Sequence, residues 1–339
     1  MKTRLTIIIP VYNGEQHLQE TLENIFQQTY TDYRLLIIND ASTDNTENIV
    51  LSFKDPRIVY HRLGKNIGRG AVRQLGVEMA DTELIAFQDA DDLWESTKLE
   101  KQIKFLDDNP DVDICGTSYR MFGMRTENFL LPETDEGIKV GLIFGCNMNQ
   151  ASVVMRKNIF EKYNLAYRSD FPLAQDYKFW ADALPYAKFY NLPEFLAFYR
   201  RHPTQGSTLT YEEQNVYGNK VKLEILRKIY PDFTKEEGDF HVNNFVKYEF
   251  PKINDHKKRV EWANKLISVN KHSNSGIVAQ NVLEKTMNHY VKETLLISLD
   301  KKYFSNFTLL KRIQYLLSFH WRYLPWRGLF RTLINKRTL

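Results

Sequence analysis

Within Asp89-Ala90-Asp91-Asp92, three carboxylates stand in four consecutive residues. Charges of one sign this close repel one another, and such clusters are neutralised by a hard divalent cation or by a set of hydrogen-bond donors. Oxygen ligands alone select Mg2+ or Mn2+ over zinc. The same residues also suit a helix start, with Asp91 or Asp92 capping the segment Leu93 to Leu106 and no metal involved.

Two further polar clusters accompany it. Asp40 closes the apolar run Leu35 to Ile38 with Asn39, and Asp44 stands in the turn Ala41-Ser42-Thr43-Asp44-Asn45. A carboxylate there can accept a hydrogen bond from a nucleobase imide or a ribose hydroxyl, or serve an Asx-turn and helix cap. In Lys65-Asn66-Ile67-Gly68-Arg69-Gly70-Ala71-Val72-Arg73, glycines and arginines open a helical pattern, where backbone N–H groups and guanidinium groups can meet phosphate. The stretch has neither the GxxxxGK[ST] spacing of a P-loop nor the GxGxxG of a dinucleotide loop.

The apolar pattern places these clusters at strand ends. Leu5 to Pro10 reads as a buried strand, and Leu18, Leu22, Ile25 and Phe26 share one helical face. Leu35 to Ile38 is a second strand, a short helix passes through Ile49 and Val50, and Arg57 to His61 is a third strand. A helix carrying Ala71, Val72, Leu75 and Met79 leads to a fourth strand, Leu84 to Phe87. Strands separated by helices imply an α/β fold with a mostly parallel sheet flanked by helices. Ligands of such sheets lie beyond the carboxyl ends of the strands. From about 110 to 210 the pattern predicts strands at Val112 to Gly116, Ser152 to Met155 and Phe195 to Tyr199, with a helix around Gln175 to Leu184. After Ser207 it turns helical, through Val221, Leu226, Leu283 and Val291.

Taken in order, Thr6-Ile7-Ile8-Ile9-Pro10-Val11-Tyr12-Asn13-Gly14, Ile37-Ile38-Asn39-Asp40-Ala41-Ser42-Thr43-Asp44, Asn66 to Arg73 and Phe87-Gln88-Asp89-Ala90-Asp91-Asp92 closely resemble the nucleotide-sugar-binding half of family 2 glycosyltransferases of the GT-A fold. The resemblance continues less sharply to about residue 210. Asn149-Gln150-Ala151-Ser152-Val153-Val154-Met155-Arg156 is similar to the acceptor-side strand of bacterial members, in which a His is common where Gln150 stands. Gln175-Asp176-Tyr177-Lys178-Phe179-Trp180 resembles the family's Glu-Asp motif with Gln in place of Glu. Tyr199-Arg200-Arg201-His202, followed by Ser207, resembles a closing segment whose His and Arg approach the diphosphate and metal. Read on their own, Asp176 also suits a helix cap and His202 an ordinary loop histidine.

The resemblance implies a Rossmann-like GT-A sheet with a nucleotide-sugar-binding half over 1–105, an acceptor-binding and catalytic half over 106–210, and a C-terminal helical extension over 211–339. It implies that Pro10, Val11, Tyr12, Asn13, Asp40, Asn66, Gly68, Arg73, Gln88, Asp89 and Ala90 bind the donor nucleotide, with Asp40 and Asp89 at a uridine-like base and ribose. Asp91, Asp92 and His202 would hold Mn2+ or Mg2+ against the two phosphates, where a cation neutralises charge building on the departing nucleoside diphosphate. Arg69, Gln150, Gln175, Trp180 and Arg200 would face the diphosphate or the acceptor. Asp176 would accept the acceptor hydroxyl's proton in a single displacement, giving a β-linkage from an α-linked donor. A retaining or hydrolytic route calls for a second carboxylate as nucleophile, and none is evident. The implied donor is a UDP-hexose. The implied acceptor is a glycan, such as a polyprenyl-diphosphate-linked or other cell-surface polysaccharide intermediate of the O-antigen or capsule type.

Two other functions compete. A nucleotidyltransferase would place a glycine-rich basic loop directly after the first strand, where this chain has Pro10-Val11-Tyr12-Asn13-Gly14. A non-catalytic sugar-nucleotide or glycan-binding relative is kept open by Gln175, while Asp89, Asp91 and Asp176 argue for transfer.

Composition sets the outer bounds. A chain of 339 residues with 43% hydrophobic and 26% charged residues folds around a core. Cys115 and Cys146 form neither a disulfide framework nor a CxxC pattern, which fits a reducing compartment and a cytoplasmic protein. Leu5 to Val11 is too short for a signal-peptide core, and no run approaches the roughly 18 to 20 apolar residues of a membrane span. Lys and Arg number 46 against 42 Asp and Glu, yet 301–339 contains no acidic residue, so 1–300 is net acidic. That balance, without a recognition motif, argues against nucleic acid. The basic tail is rich in aromatics, among them Tyr315, Trp321 and Trp326, which suits peripheral contact with the inner face of an anionic membrane. It equally suits a helical packing extension or a homodimer surface.

Overall fold

A computed structural model describes residues 3–245, 253–273 and 275–298. The basic aromatic tail, 301–339, lies outside them. The chain divides into two compact units, Met1–Glu224 and Ile225–Leu339.

The first unit runs β1 (Leu5–Val11), α1 (Leu18–Phe26), β2 (Tyr33–Asn39), α2 (Thr46–Ser52), β3 (Ile58–Arg62), α3 (Arg69–Met79), β4 (Leu84–Phe87), β5 (Leu93–Trp94), α4 (Lys98–Asp108), β6 (Ile114–Gly123), β7 (Glu127–Phe129) and α5 (Asp135–Leu142). A 3-10 turn (Gln150–Ser152) leads to β8 (Val154–Arg156), α6 (Ile159–Lys162), α7 (Gln175–Ala183), β9 (Phe189–Arg201) and α8 (Gly206–Leu209). The division between the units falls inside α9 (Tyr211–Ile229).

The strands form one sheet in the order β3-β2-β1-β4-β8-β6-β9-β5, with β7 on the edge of β6. Strands β1 to β4 pair in parallel, because α1, α2 and α3 supply the crossovers that parallel neighbours need. The sheet as a whole is mixed, which refines the mostly parallel expectation. Strand β8 is inserted between β4 and β6 and runs antiparallel to both, and β5 and β7 also oppose their partners.

Strand β1 is central and covered on both faces, so Leu5, Ile7, Ile8 and Ile9 are fully buried in a continuous apolar run. Leu18, Leu22 and Ile25 of α1 pack into the same core as Leu35, Ile37 and Leu84. Helix α3 approaches β1 so closely that a Cβ on Gly76 would stand 2.5 Å from Ile8 Cγ2, a contact only glycine permits.

One expected element changes. The helix placed over Leu93 to Leu106 begins only at Lys98, after Thr97, and Leu93-Trp94 pairs with Phe198 and Ala197 of β9. Trp94 holds that extended stretch, its N–H donating to Asn24 Oδ1 at 2.7 Å and its indole to the Ala151 carbonyl at 2.7 Å. Asp91 and Asp92 therefore cap no helix.

The second unit contains α10 (Lys235–Phe240), a π-helical turn (His241–Phe245), α11 (Ile253–His272) and α12 (Gln280–Ser298). Thr234 and Glu237 form a capping box at the start of α10. Trp262, Ala263, Leu266, Leu283 and Met287 are buried in its core. Among the described residues, no helix is long and apolar enough to cross a membrane.

Candidate active site

The polar clusters meet where β1, β2 and β4 end. Asp40, directly after β2, is buried, and its carboxylate accepts the Ile67 N–H at 2.8 Å and the Gly68 N–H at 3.0 Å. Asn66 Nδ2 donates to the Asp40 carbonyl at 3.3 Å. Gly68 sits at φ 86, so the aspartate that ends one strand organises the glycine loop ahead of α3. Each Asp40 oxygen retains a second lone pair. Asn13 and Ala41, with φ of 51 and 60, adopt left-handed conformations at adjacent strand ends. Asn13 laces the two loops together, its N–H donating to Ser42 Oγ and its Oδ1 accepting the Thr43 N–H, both at 2.9 Å. Strained non-glycine residues of this kind gather at ligand sites. Pro10 and Val11 lead into this loop, and the Tyr12 ring beside them is 53% exposed.

The members of the acidic cluster have different partners. Asp89 pairs with the buried Arg73 guanidinium, Oδ1 to Nη2 at 2.8 Å, so Arg73 steadies a site aspartate from below. Ala90 contributes its carbonyl, which accepts from Thr21 Oγ1 at 3.0 Å. Gln88 is buried and donates to the Asp92 carbonyl at 2.7 Å. Asp92 is turned inward, where its Oδ1 accepts the Arg200 N–H at 2.8 Å. Burial first, then Asp91 and Asp89, pushes its carboxyl well above the ordinary range. Asp92 Oδ1 thus anchors β9, and its Oδ2 takes no hydrogen bond from the described residues.

Asp91, like Asp89, is partly exposed. Its Oδ2 lies 3.0 Å from His202 Nε2, and the other ring nitrogen of His202 is 3.0 Å from Thr204 Oγ1. Arg200 Nε donates to the Asp91 carbonyl at 2.8 Å while its Nη2 pairs with Glu20 at 2.7 Å. The strand β9 thus delivers Arg200 and His202 onto the loop between β4 and β5.

Helix α7 opens from Ala174 at φ 52. Asp176 lies in its first turn, where Oδ1 accepts the Tyr177 N–H at 2.8 Å and Oδ2 takes no bond from the described residues. Gln175 is buried, and a Cβ on Gly70 would stand 3.5 Å from its own Cβ, so the first turn of α7 rests on the start of α3. Arg69 reaches across to Gly206, which has no Cβ to obstruct its Nη2. Two further candidate residues are buried. Trp180 is fully buried between Phe179 and Phe189, and Gln150 is buried with its Nε2 2.9 Å from Tyr167 Oη. The Trp180 indole N–H is left without a hydrogen-bond partner among the described residues.

Several atoms here lack a partner among the described residues. His17 Nε2, Arg73 Nε, Gln88 Oε1, Asp92 Oδ2 and Gln205 Oε1 are all buried without a hydrogen bond. Buried polar groups are nearly always satisfied, so this concentration marks a place suited to a polar ligand. Of these, His17 and Gln205 carried no signal in the sequence, since neither belongs to a recognisable spacing. Among the described residues, no three His, Cys, Asp or Glu side chains converge as a closed metal site. Asp91 and His202 converge as a pair, which suits a hard cation that takes its remaining ligands from phosphate oxygens and water.

Comparison with known proteins bears on the family and the fold. A family model described as Glycosyl transferase family 2 matches residues 6–167. An uncharacterized glycosyltransferase of Methanocaldococcus jannaschii is 31% identical over 226 residues, covering 64% of this chain and 77% of that protein. One of Haemophilus influenzae is 29% identical over 234 residues, covering 65% and 72%. The putative teichuronic acid biosynthesis glycosyltransferase TuaG of Bacillus subtilis is 28% identical over 182 residues, covering 49% and 70%. Among solved structures, S. aureus TarS 1-349 in complex with UDP-GlcNAc aligns with a TM-score of 0.58 at 18% identity, over 86% of this chain and 88% of that one. The mannosyltransferase PcManGT of Pyrobaculum calidifontis, in complex with GDP-Man and Mn2+, aligns with a TM-score of 0.53 at 15% identity, over 99% and 89%. These two structures are alike in fold.

Proposed function

The chain belongs to glycosyltransferase family 2, and from that premise we propose that it moves a hexose from a UDP-sugar onto a glycan acceptor with inversion at the anomeric carbon. One observation carries the reading: the Asp91 carboxylate and the His202 imidazole meet at 3.0 Å, beside the strand end where Asp40 organises the donor-side loop.

Asp91 and His202 would hold Mn2+ or Mg2+ together with the donor's phosphates. When bound, such a cation offsets the negative charge that gathers on the departing nucleoside diphosphate. Arg200 keeps the Asp91 backbone in place through its carbonyl, and Asp92 keeps Arg200 in place. Asp89, steadied by Arg73, and Asp40 with its loop hold the nucleoside, with Tyr12 and Asn66 exposed beside them. Asp176 accepts the proton of the acceptor hydroxyl as that oxygen attacks the anomeric carbon opposite the leaving group. One displacement needs one base, and an α-linked donor then yields a β-linked product.

The donor assignment is supported by UDP-GlcNAc and UDP in the TarS complexes, and the cation by Mn2+ in the Pyrobaculum complex. The teichuronic acid relative supports a cell-surface polysaccharide acceptor, and a polyprenyl-diphosphate-linked intermediate at the inner membrane face matches the basic aromatic tail.

The test is transfer itself. The full chain is incubated with a panel of UDP-hexoses, Mn2+ and lipid-linked glycan, UDP release is followed, and the product's anomeric coupling is read by proton NMR. A β-linked product that Asp176→Asn no longer forms supports the reading. An α-linked product, or full activity in Asp176→Asn, contradicts it.

A further inference from the structure

His17 takes no part in the mechanism above, yet it touches the site. It immediately precedes α1, and its side chain makes no capping hydrogen bond. Its ring lies against that of His202, with centroids 4.8 Å apart and planes inclined by 60°. Both nitrogens of His202 are already engaged, by Asp91 and by Thr204, so the two rings meet by packing alone. Among the described residues His17 Nε2 is buried without a partner, and the charged groups around the ring are Arg200, Asp91 and Glu20.

That combination is unusual for a residue at a helix start. A Ser or Asp there would satisfy backbone donors, whereas His17 satisfies none and leaves a buried nitrogen unpaired. What it does supply is a wall. The torsion that turns an imidazole about its Cβ–Cγ bond has broad, shallow minima, so a ring held only by its two nitrogens can swing. A second ring packed beside it, tilted by 60°, restricts that freedom.

We propose that His17 is a positioning residue, whose ring holds the His202 imidazole in the orientation that sets Nε2 on Asp91. The claim about the ring concerns the protein without any ligand. Its consequence for a cation rests on the reading of the donor site given above.

The experiment uses the full chain labelled with 15N-histidine and free of metal. Long-range proton–nitrogen spectra report the tautomer and hydrogen bonding of His202, whose signals are assigned by their loss in His202→Ala. His17→Ala is expected to shift or broaden those signals and to weaken the apparent Mn2+ affinity of the UDP complex about tenfold, as loss of an orienting partner does. His17→Phe, which keeps a planar ring and removes the nitrogens, is expected to restore both. If His17→Ala does not fold, His17→Leu, which fills the volume without a flat face, takes its place with the same expectation. Unchanged His202 signals in that variant overturn the proposal, and so does a His17→Phe protein as impaired as His17→Ala. A wild-type protein with no Mn2+ dependence would instead remove the cation reading, leaving the metal-free spectra to decide the role of His17.

Discussion

Asp91 Oδ2 and His202 Nε2 stand 3.0 Å apart although 111 residues separate them in sequence. The approach is built by two strands: β5 carries the acidic loop onto β9, and the end of β9 carries His202 back over it. If the pair holds one cation against the leaving diphosphate, removing either partner removes the same stabilisation. Asp91→Asn and His202→Ala should each lower kcat/KM by about 100-fold or more, the scale of losing one aimed electrostatic group. The double variant should be little worse than the poorer single one, because the two act on one charge. Steady-state rates across a Mn2+ titration check both statements.

Asp176 is expected to act on the acceptor alone. Asp176→Asn should reduce kcat by about 100- to 10,000-fold, the range of a lost general base, while UDP still stabilises the protein as it does wild type. Loss of UDP binding in this variant would move Asp176 from the acceptor side to the donor side.

Much of this arrangement was legible in the sequence because it is written in local pattern. The strands β1, β2 and β4 are short continuous apolar runs, and Asp40 and Asp89 follow directly from where those runs stop. The pairing of Asp91 with His202 was legible only through the resemblance of two distant motifs. The inward turn of Asp92 was not legible, since it depends on β9 placing the Arg200 N–H beside it. Nor was the late start of α4, because Leu93-Trp94 has the composition of a helix and is drawn into a strand by its tertiary partners Asn24 and Ala151. His17 has no motif of its own and acquires meaning only from the ring opposite.

Asp40 also serves the fold. Asp40→Ala leaves the Ile67 and Gly68 N–H groups without their acceptor, and should lower stability by about 1–3 kcal/mol even with no nucleotide present. Chemical denaturation of the ligand-free variant measures this. A change in UDP affinity with unaltered stability would show that the carboxylate serves the nucleotide only.

Lys98 gives a pH dependence. Its amine is fully buried over the Trp94 ring, 3.8 Å from the centroid, and burial lowers its pKa from 10.5 to about 7. Below about pH 7 the folded state must carry a buried ammonium, and the full penalty applies. Between about 7 and 10.5 the unfolded chain binds more protons than the folded one, so this penalty fades as pH rises. Lys98→Met should therefore stabilise the protein by a few kcal/mol, at about 1.4 kcal/mol for each unit of displacement. The gain should be largest below pH 7 and should shrink towards pH 10. Denaturation curves at pH 6, 8 and 10 test the sign, and a gain that grows with pH would refute it.

The most direct test of the central claim is thermal stability in the presence of UDP, GDP, dTDP or CMP, each with and without Mn2+, for wild type and Asp91→Asn. Ligand at about 100 times its dissociation constant adds about 2.7 kcal/mol, a readable rise in melting temperature. The account predicts that UDP with Mn2+ stabilises the wild-type protein most, and that Asp91→Asn loses the metal-dependent part. Equal stabilisation by UDP with and without Mn2+, or no response to any of the four nucleotides, would contradict it.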